Sequence, residues 1–481
     1  MTEQWLRPRQ GGLIGTGDDA GPTIREYRLA TGWTQVDVAG AIGITQQHLS
    51  QIEKGKSPVT FDLRRKFATL LNIPASALGL SDRVTVPGAR QETVGSADVS
   101  ASRGRWRAER TWLNQHRSDL AKVAVGLYAP ESRVAGTTLI TAPGWLSPHP
   151  LPLRSVRLEL DEAPRNKQVS GREQASAAVR PLRSRSAAFD SYTAAIRRID
   201  PPALLENRPC YRLLDCAVAD KRLKFGLAAY FDKLDISEAL GHEIAAACMF
   251  DGIQASEGNL QDKLPLRDLI GDPFDLQRRA VIPAITTLTL RLRRYPAEPS
   301  FLLHWRNPAA VATAGGVYDV IPAGEFQPSS VALWDRRNDF DLWRNIAREY
   351  SEELLGAPEH DGTRTEPIDY ATWPLYQALE QAQVAGTVTA FLLGVGLDAL
   401  TLAATILTVV VIEDDVFHAL FGQIVRYNEE GEIVGLGDGR PVEGIPFTAE
   451  SVTRMLQQEP MAAPGAACLA LAWQHREALL Y

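Results

Sequence analysis

Two threonines, Thr34 and Thr45, each open a short run of residues that closes on a glycine, and this spacing constrains the N-terminal part of the chain more than any other feature. Thr34 is placed to N-cap a helix, and Asp37 at the third position suits the positive end of its dipole. The run TQVDVAGAIG puts Val38, Ala39 and Ile42 on one face, and Gly43 supplies the left-handed residue that ends it. Thr45 caps the next run, TQQHLSQIEKG, which Gly55 closes. Leu49 and Ile52 stand three apart and face a core. A further helix, Thr23–Thr31, precedes the pair and ends at Gly32. Two short helices joined by a tight turn, with the small Ala39 at their crossing, make a helix-turn-helix unit.

The outer side of the third helix carries Gln46, Gln47, Ser50 and Gln51. A glutamine amide donates and accepts together, which matches adenine N6 and N7 in the major groove. Residues at the start of a recognition helix reach base edges, which places Gln46 and Gln47 well. Lys54 and Lys56 follow at the helix end, in reach of phosphate. Residues 21–80 hold seven Lys or Arg against four Asp or Glu, net +3, on a chain of net −7. Nucleic-acid binding is therefore expected of this module and not of the whole surface. The stretch Ile24–Gly79 resembles the Cro/C1-type (XRE, lambda-repressor-like) DNA-binding domain. The resemblance implies a fourth and a fifth helix, here Thr60–Leu71 and Pro74–Leu78. It implies Gln35 and Thr45 on phosphate, and Gln46, Gln47 and Gln51 on bases. It also implies a double-stranded DNA operator read by a homodimer, through half-sites about one helical turn apart.

At 481 residues the chain is too long for one core, so two or three domains are expected. Residues 1–20 read as a mobile Gly- and Asp-rich start, 21–80 as the helix-turn-helix domain and 81–102 as a linker. Residues 103–270 read as a mixed helix and strand region, and 280–481 as a ligand-binding domain. Residues 103–127 have helical spacing, with Trp106, Trp112, Leu113, Leu120 and Val123 available for dimerisation or for packing on the next domain. Strands are predicted at Val156–Leu160, Leu223–Phe231 and Thr286–Leu292, and helices at Ser237–Met249 and Asp341–Leu355. From Val384 to Ile412 the one charge is Asp398, a run long enough to span a bilayer. Gly386, Gly394 and Gly396 interrupt it, and its Thr and Val content predicts two or three buried strands instead. No basic cluster flanks it, so no membrane contact is expected. The four cysteines show no CxxC spacing, which gives no zinc signature and no disulfide framework. With no apolar run in MTEQWLRPRQGG to suggest a signal peptide, a cytoplasmic location is expected.

The helix DLWRNIAREYSEELLG carries Glu349, Glu352 and Glu353 at i, i+3 and i+4, so the three carboxylates share one edge. Like charges so placed destabilise a helix unless a divalent cation such as Mg²⁺ joins them, or unless Arg344 and Arg348 answer them. REYSEELLG resembles the helical part of the Nudix box. The resemblance implies Mg²⁺ and phosphates held by Glu349, Glu352 and Glu353, with Arg348 at the ligand. It also implies an α/β/α sandwich over residues 280–481, completed by the strands of 387–412 and a last helix, Ala463–Leu479. GGVYDVIPAGEFQPSS is similar to the strand and loop that open the box, with departures. Ala323 stands for the first Gly and Ser330 for the loop Glu, and Ala323 and Arg348 lie 25 positions apart, wider than the pattern. His242 is expected to be structural, and Glu413, Asp414 and Asp415 to form a solvated turn.

The sequence thus predicts a multidomain chain, an all-α helix-turn-helix domain followed by an α/β, Nudix-like region. The function expected is a sequence-specific transcriptional regulator whose C-terminal domain senses a nucleotide or another phosphate-linked effector. The alternatives are an active Mg²⁺-dependent Nudix hydrolase with a DNA-binding arm, and a repressor whose C-terminal region binds a protein.

Overall fold

A computed structural model describes residues 20–30, 33–57, 59–71, 73, 78, 95–163, 166–202, 205–251, 260–294, 297–306, 316–357, 366–422, 431–434 and 444–480. The chain divides into two compact units, Met1–Gln91 and Glu92–Tyr481.

Among its described residues the first unit holds four α-helices: α1 Ala20–Ala30, α2 Gln35–Ile42, α3 Gln46–Glu53 and α4 Phe61–Leu70. Three of them begin at the threonines expected from the sequence. The Thr34 hydroxyl accepts from the Asp37 N–H while the Asp37 carboxylate accepts from the Thr34 N–H, a reciprocal capping box. Thr45 accepts from the His48 N–H at 3.1 Å and Thr60 from the Leu63 N–H at 3.3 Å. Gly43 adopts φ 79°, the left-handed conformation that ends α2. Ile24, Val38, Ala39, Ile42, Leu49, Ile52 and Phe67 form the core. At Gly21 α1 comes so close to α3 that an added Cβ would lie 2.1 Å from the Ile52 carbonyl oxygen. The first helix starts three residues before the expected Thr23. The expected fifth helix, Pro74–Leu78, falls outside the described residues except for Leu78, as do residues 1–19, Thr31 and Gly32.

The second unit opens with α5 Gly95–Gln115 and α6 Arg117–Val125, separated at His116 (φ −120°, ψ 19°). The expected linker 81–102 is therefore helical from Gly95 onward, and residues 81–94 lie outside the described part. Of the two uses open to this helix, the structure shows packing within its own unit, with Trp106 and Leu113 buried in the main core. Next come α7 Tyr192–Ile199 and α8 Tyr230–Asp251. Tyr230 and Phe231, expected to end a strand, begin α8 instead, because the strand Arg222–Ala229 stops two residues before the expected end.

An eight-stranded mixed sheet organises the unit. Its path runs Leu139–Ile140, Val388–Asp398, Ala404–Glu413, Pro283–Arg294, Ala297–Phe301, Ile445–Pro446. Ala404–Glu413 pairs in parallel with Pro283–Arg294, with Ile406 opposite Ile285, and the remaining pairings are antiparallel. The long apolar run is thus a hairpin of two strands. Buried almost throughout, its alternate residues face opposite sides and divide the sheet between two cores. Ile285, Ile406, Val410 and Ile412 face one core, shared with Ile346, Phe417 and Phe421 of the helices Leu342–Glu349 and Asp414–Phe421. Leu288, Leu407, Val409 and Val411 face a second core, shared with Met455, Ala467, Cys468 and Leu471 of the helices Ala449–Gln458 and Ala463–Gln474. Helices therefore cover both faces.

The boundary expected between 103–270 and 280–481 does not separate two bodies. Leu139–Ile140 and Leu146–Pro152 pair with Val388–Asp398, which satisfies an edge that would otherwise expose a row of backbone donors and acceptors. The last helix breaks at His475, into Ala463–Gln474 and Arg476–Leu480. Among the described residues no helix is long and apolar enough to cross a membrane.

Candidate nucleic-acid interface and the carboxylate helix

The third helix presents two different sides. Leu49, Ile52 and Glu53 are buried, while Thr45, Gln46, Gln47, Lys54 and Lys56 are exposed and Gln35, Ser50 and Gln51 half-buried. All eight expected DNA-contacting residues thus lie on α3, at its two ends, or at the first position of α2. The amide ends of Gln46 and Gln47 stand at the N-terminal turn of α3, where a helix entering the major groove reaches base edges.

Sequence reasoning missed what fixes this helix. Glu53, four residues after Leu49, lies on the core side of α3 and accepts from Arg28 of α1 through both carboxylate oxygens, at 2.5 and 2.9 Å. The second oxygen also accepts from Gln35 Nε2 at 2.8 Å, so α1, α2 and α3 meet at one carboxylate. Arg28 Nη1 donates to the Trp33 carbonyl at 3.0 Å and ties the α1–α2 turn to the same point. Burial raises the affinity of Glu53 for a proton, but the hydrogen bonds from Arg28 and Gln35 outweigh it and hold the carboxyl below its ordinary range. The legible signal was a Glu at a core-facing helical position, which only a buried partner makes tolerable. Gln35 keeps a second amide N–H after serving Glu53. The Thr34 hydrogen bond lowers the Asp37 pKa in the same direction.

The carboxylate helix departs from its expected geometry. Leu342–Glu349 is α-helical, capped by Asp341, which accepts from the Arg344 N–H at 2.9 Å. Tyr350–Leu354 then continues as a π turn. The step from Glu349 to Glu352 and Glu353 therefore crosses the change from α-helix to π turn. Glu353 is buried and accepts from the Ala323 N–H at 2.7 Å, with His304 Nδ1 at 3.6 Å. Glu349 accepts from Asn345 Nδ2 at 3.1 Å and lies against Gly324, where an added Cβ would come within 2.1 Å of its carboxyl carbon. Two of the three carboxylates therefore clasp the short strand Ala323–Glu325. Arg348, expected at a ligand, is buried and donates to the Gln327 carbonyl at 2.7 Å and to Asn345 Oδ1 at 3.2 Å. Among the described residues no three His, Cys, Asp or Glu stand together so as to hold a metal ion.

Two smaller expectations meet different outcomes. His242 is fully buried, bonded to Tyr192 OH at 2.8 Å and Glu109 Oε2 at 2.9 Å, and burial lowers its pKa. Asp414 is not part of a solvated turn. It pairs with buried Arg291 at 2.5 Å and opens the helix that covers the sheet.

The sequence model of the helix-turn-helix family matches residues 24–78, in agreement with the Cro/C1-type resemblance of Ile24–Gly79. This segment is a helix-turn-helix, a DNA-binding module. No curated protein matches the chain.

Proposed function

We propose that this protein is a transcriptional regulator that reads a double-stranded operator as a dimer, and that its second unit senses a small ligand. The observation that carries the reading is the exposure of Gln46 and Gln47 on the first turn of a helix whose opposite side is locked by the Arg28–Glu53 pair. A rigid helix with flexible amides at its leading end is suited to direct readout. Gln51 and Ser50 extend the reading edge, while Gln35, Thr45, Lys54 and Lys56 hold phosphates. The second unit is a Nudix-like sandwich in which Arg348, Glu349 and Glu353 serve the fold. Its layered sheet and the position of its carboxylate helix beside Ala323–Glu325 support that likeness. Sensing is supported by a cavity of about 260 Å³ within this unit. The test is selection of full-length protein against random double-stranded DNA. Enrichment of one inverted-repeat sequence is expected, and enrichment of none would overturn the reading.

A further inference from the structure

The cavity of the second unit is lined from α6, α8, the strand Ala323–Glu325, the loop after Asp398 and the start of the helix Ala463–Gln474. Its volume, about 260 Å³, falls just under the roughly 300 Å³ at which drug-sized sites begin. We propose that this cavity is a ligand site for a small uncharged molecule rich in hydroxyl or N–H donors, such as a sugar or nucleoside ring, and that it disfavours phosphorylated ligands. The proposal deepens the sensing reading, but rests on it only for the link to DNA.

Four carboxylates (Glu238, Asp319, Glu325 and Asp398) line the cavity against three cations (Arg117, Lys233 and Arg306), and those carboxylates engage Arg117 and Lys233. Arg117 Nη2 lies 2.7 Å from Glu238 Oε2, and Lys233 pairs with Glu325 Oε1. The obvious phosphate anchor is also taken. Asp319 Oδ1 lies against Gly465 in the first turn of the helix Ala463–Gln474, where an added Cβ would come within 2.3 Å. A protein carboxylate thus faces the end of the dipole at which a phosphate would bind. The other need is for donors. Glu325 Oε2 is buried and has no hydrogen-bond partner among the described residues. Burying an acceptor without a donor is costly, and a ligand hydroxyl or N–H reaching this oxygen removes that cost. Asp398 and Thr401, joined at 2.8 Å, offer further acceptor positions across the cavity.

The same wall reaches the start of the unit. Glu238 also accepts from Arg110 of α5 at 3.3 Å, and one turn further along α8 His242 bonds Glu109 of α5. α5 is the first described helix after the helix-turn-helix unit in the chain, so a ligand that re-engages Glu238 acts on the element that leads to the DNA-binding module.

The test uses full-length protein, calorimetry and a panel in which adenosine, uridine, D-ribose, D-glucose and myo-inositol are each paired with their monophosphates at millimolar concentration. At least one uncharged member is expected to bind, with its monophosphate at least tenfold weaker. Binding by nucleosides alone identifies a nucleoside ligand, and binding by the free sugars or inositol identifies a polyol. Glu325→Gln and the cavity-filling Ala403→Phe should each weaken binding at least tenfold, and a variant that still melts cooperatively is the one scored. Failure of every uncharged member, or tighter binding by the monophosphates, overturns the proposal. Ligand binding that leaves operator affinity unchanged keeps the site and overturns only the sensing role.

Discussion

Arg28 and Glu53 meet as a bidentate pair between α1 and α3, with Nε–Oε1 at 2.5 Å and Nη2–Oε2 at 2.9 Å. Both side chains are largely shielded, at 9% and 2% exposure. A paired fork of this kind fixes the angle between two helices as well as their separation, because two parallel N–H···O bonds define a plane. The orientation of Gln46 and Gln47 depends on it.

Arg28→Met leaves Glu53 buried without its main donor. Breaking a buried pair from one side costs roughly 3 kcal/mol. The expected result is faster amide hydrogen exchange along α3 in the full-length chain and weakened operator binding, with exchange in the second unit unchanged. Unaltered exchange in α3 would show that the pair does not hold the helix.

The same pair sets an acid limit. Glu53 titrates below the ordinary 4.5 in the folded unit. Its stabilisation is therefore complete above that range and is lost as pH falls through the depressed value. Urea unfolding of the first unit, followed from neutral pH into the acid range, is expected to show falling stability in that window, and Glu53→Gln should flatten this limb.

Lys54 and Lys56 lie exposed past the end of α3. Replacing both with Ala is expected to weaken binding to operator and random DNA alike. Each lysine lost should reduce the slope of log affinity against log salt by about 1. A change confined to operator DNA would place these lysines on bases.

Glu353 accepts from the Ala323 N–H at 2.7 Å. Glu353→Ala strands that donor and is expected to lower the stability of the second unit by about 1–3 kcal/mol. Millimolar Mg²⁺ should leave the melting temperature of the parent protein unchanged. A rise with Mg²⁺ that Glu352→Gln abolishes would place a metal centre on this helix.

The helix-turn-helix was legible because its signals are local. Thr34, Thr45 and Thr60 cap where capping chemistry requires, and Gly43 ends α2 in the conformation that favours glycine. Glu53 escaped notice because its partner is 25 residues away and pairing depends on how the helices pack. The hairpin within 384–412 was readable from its Thr and Val content and its glycines. Its partners at Leu139–Ile140 and Leu146–Pro152 were not, since pairing across some 250 residues leaves no short-range pattern. The carboxylate helix misled for a different reason. The i, i+3, i+4 spacing shows a shared helix edge, but not that Glu353 accepts from the Ala323 N–H, 30 residues away.

The central claim is sequence-specific readout by α3. Its most direct test is a titration of full-length protein against a selected operator and against random DNA, for the parent and for Gln46→Ala combined with Gln47→Ala. The account predicts that the parent discriminates, and that the double variant keeps its fold and its affinity for random DNA. It predicts that the variant loses roughly 1–3 kcal/mol of preference for each base contact removed. Undiminished discrimination by the double variant would contradict it.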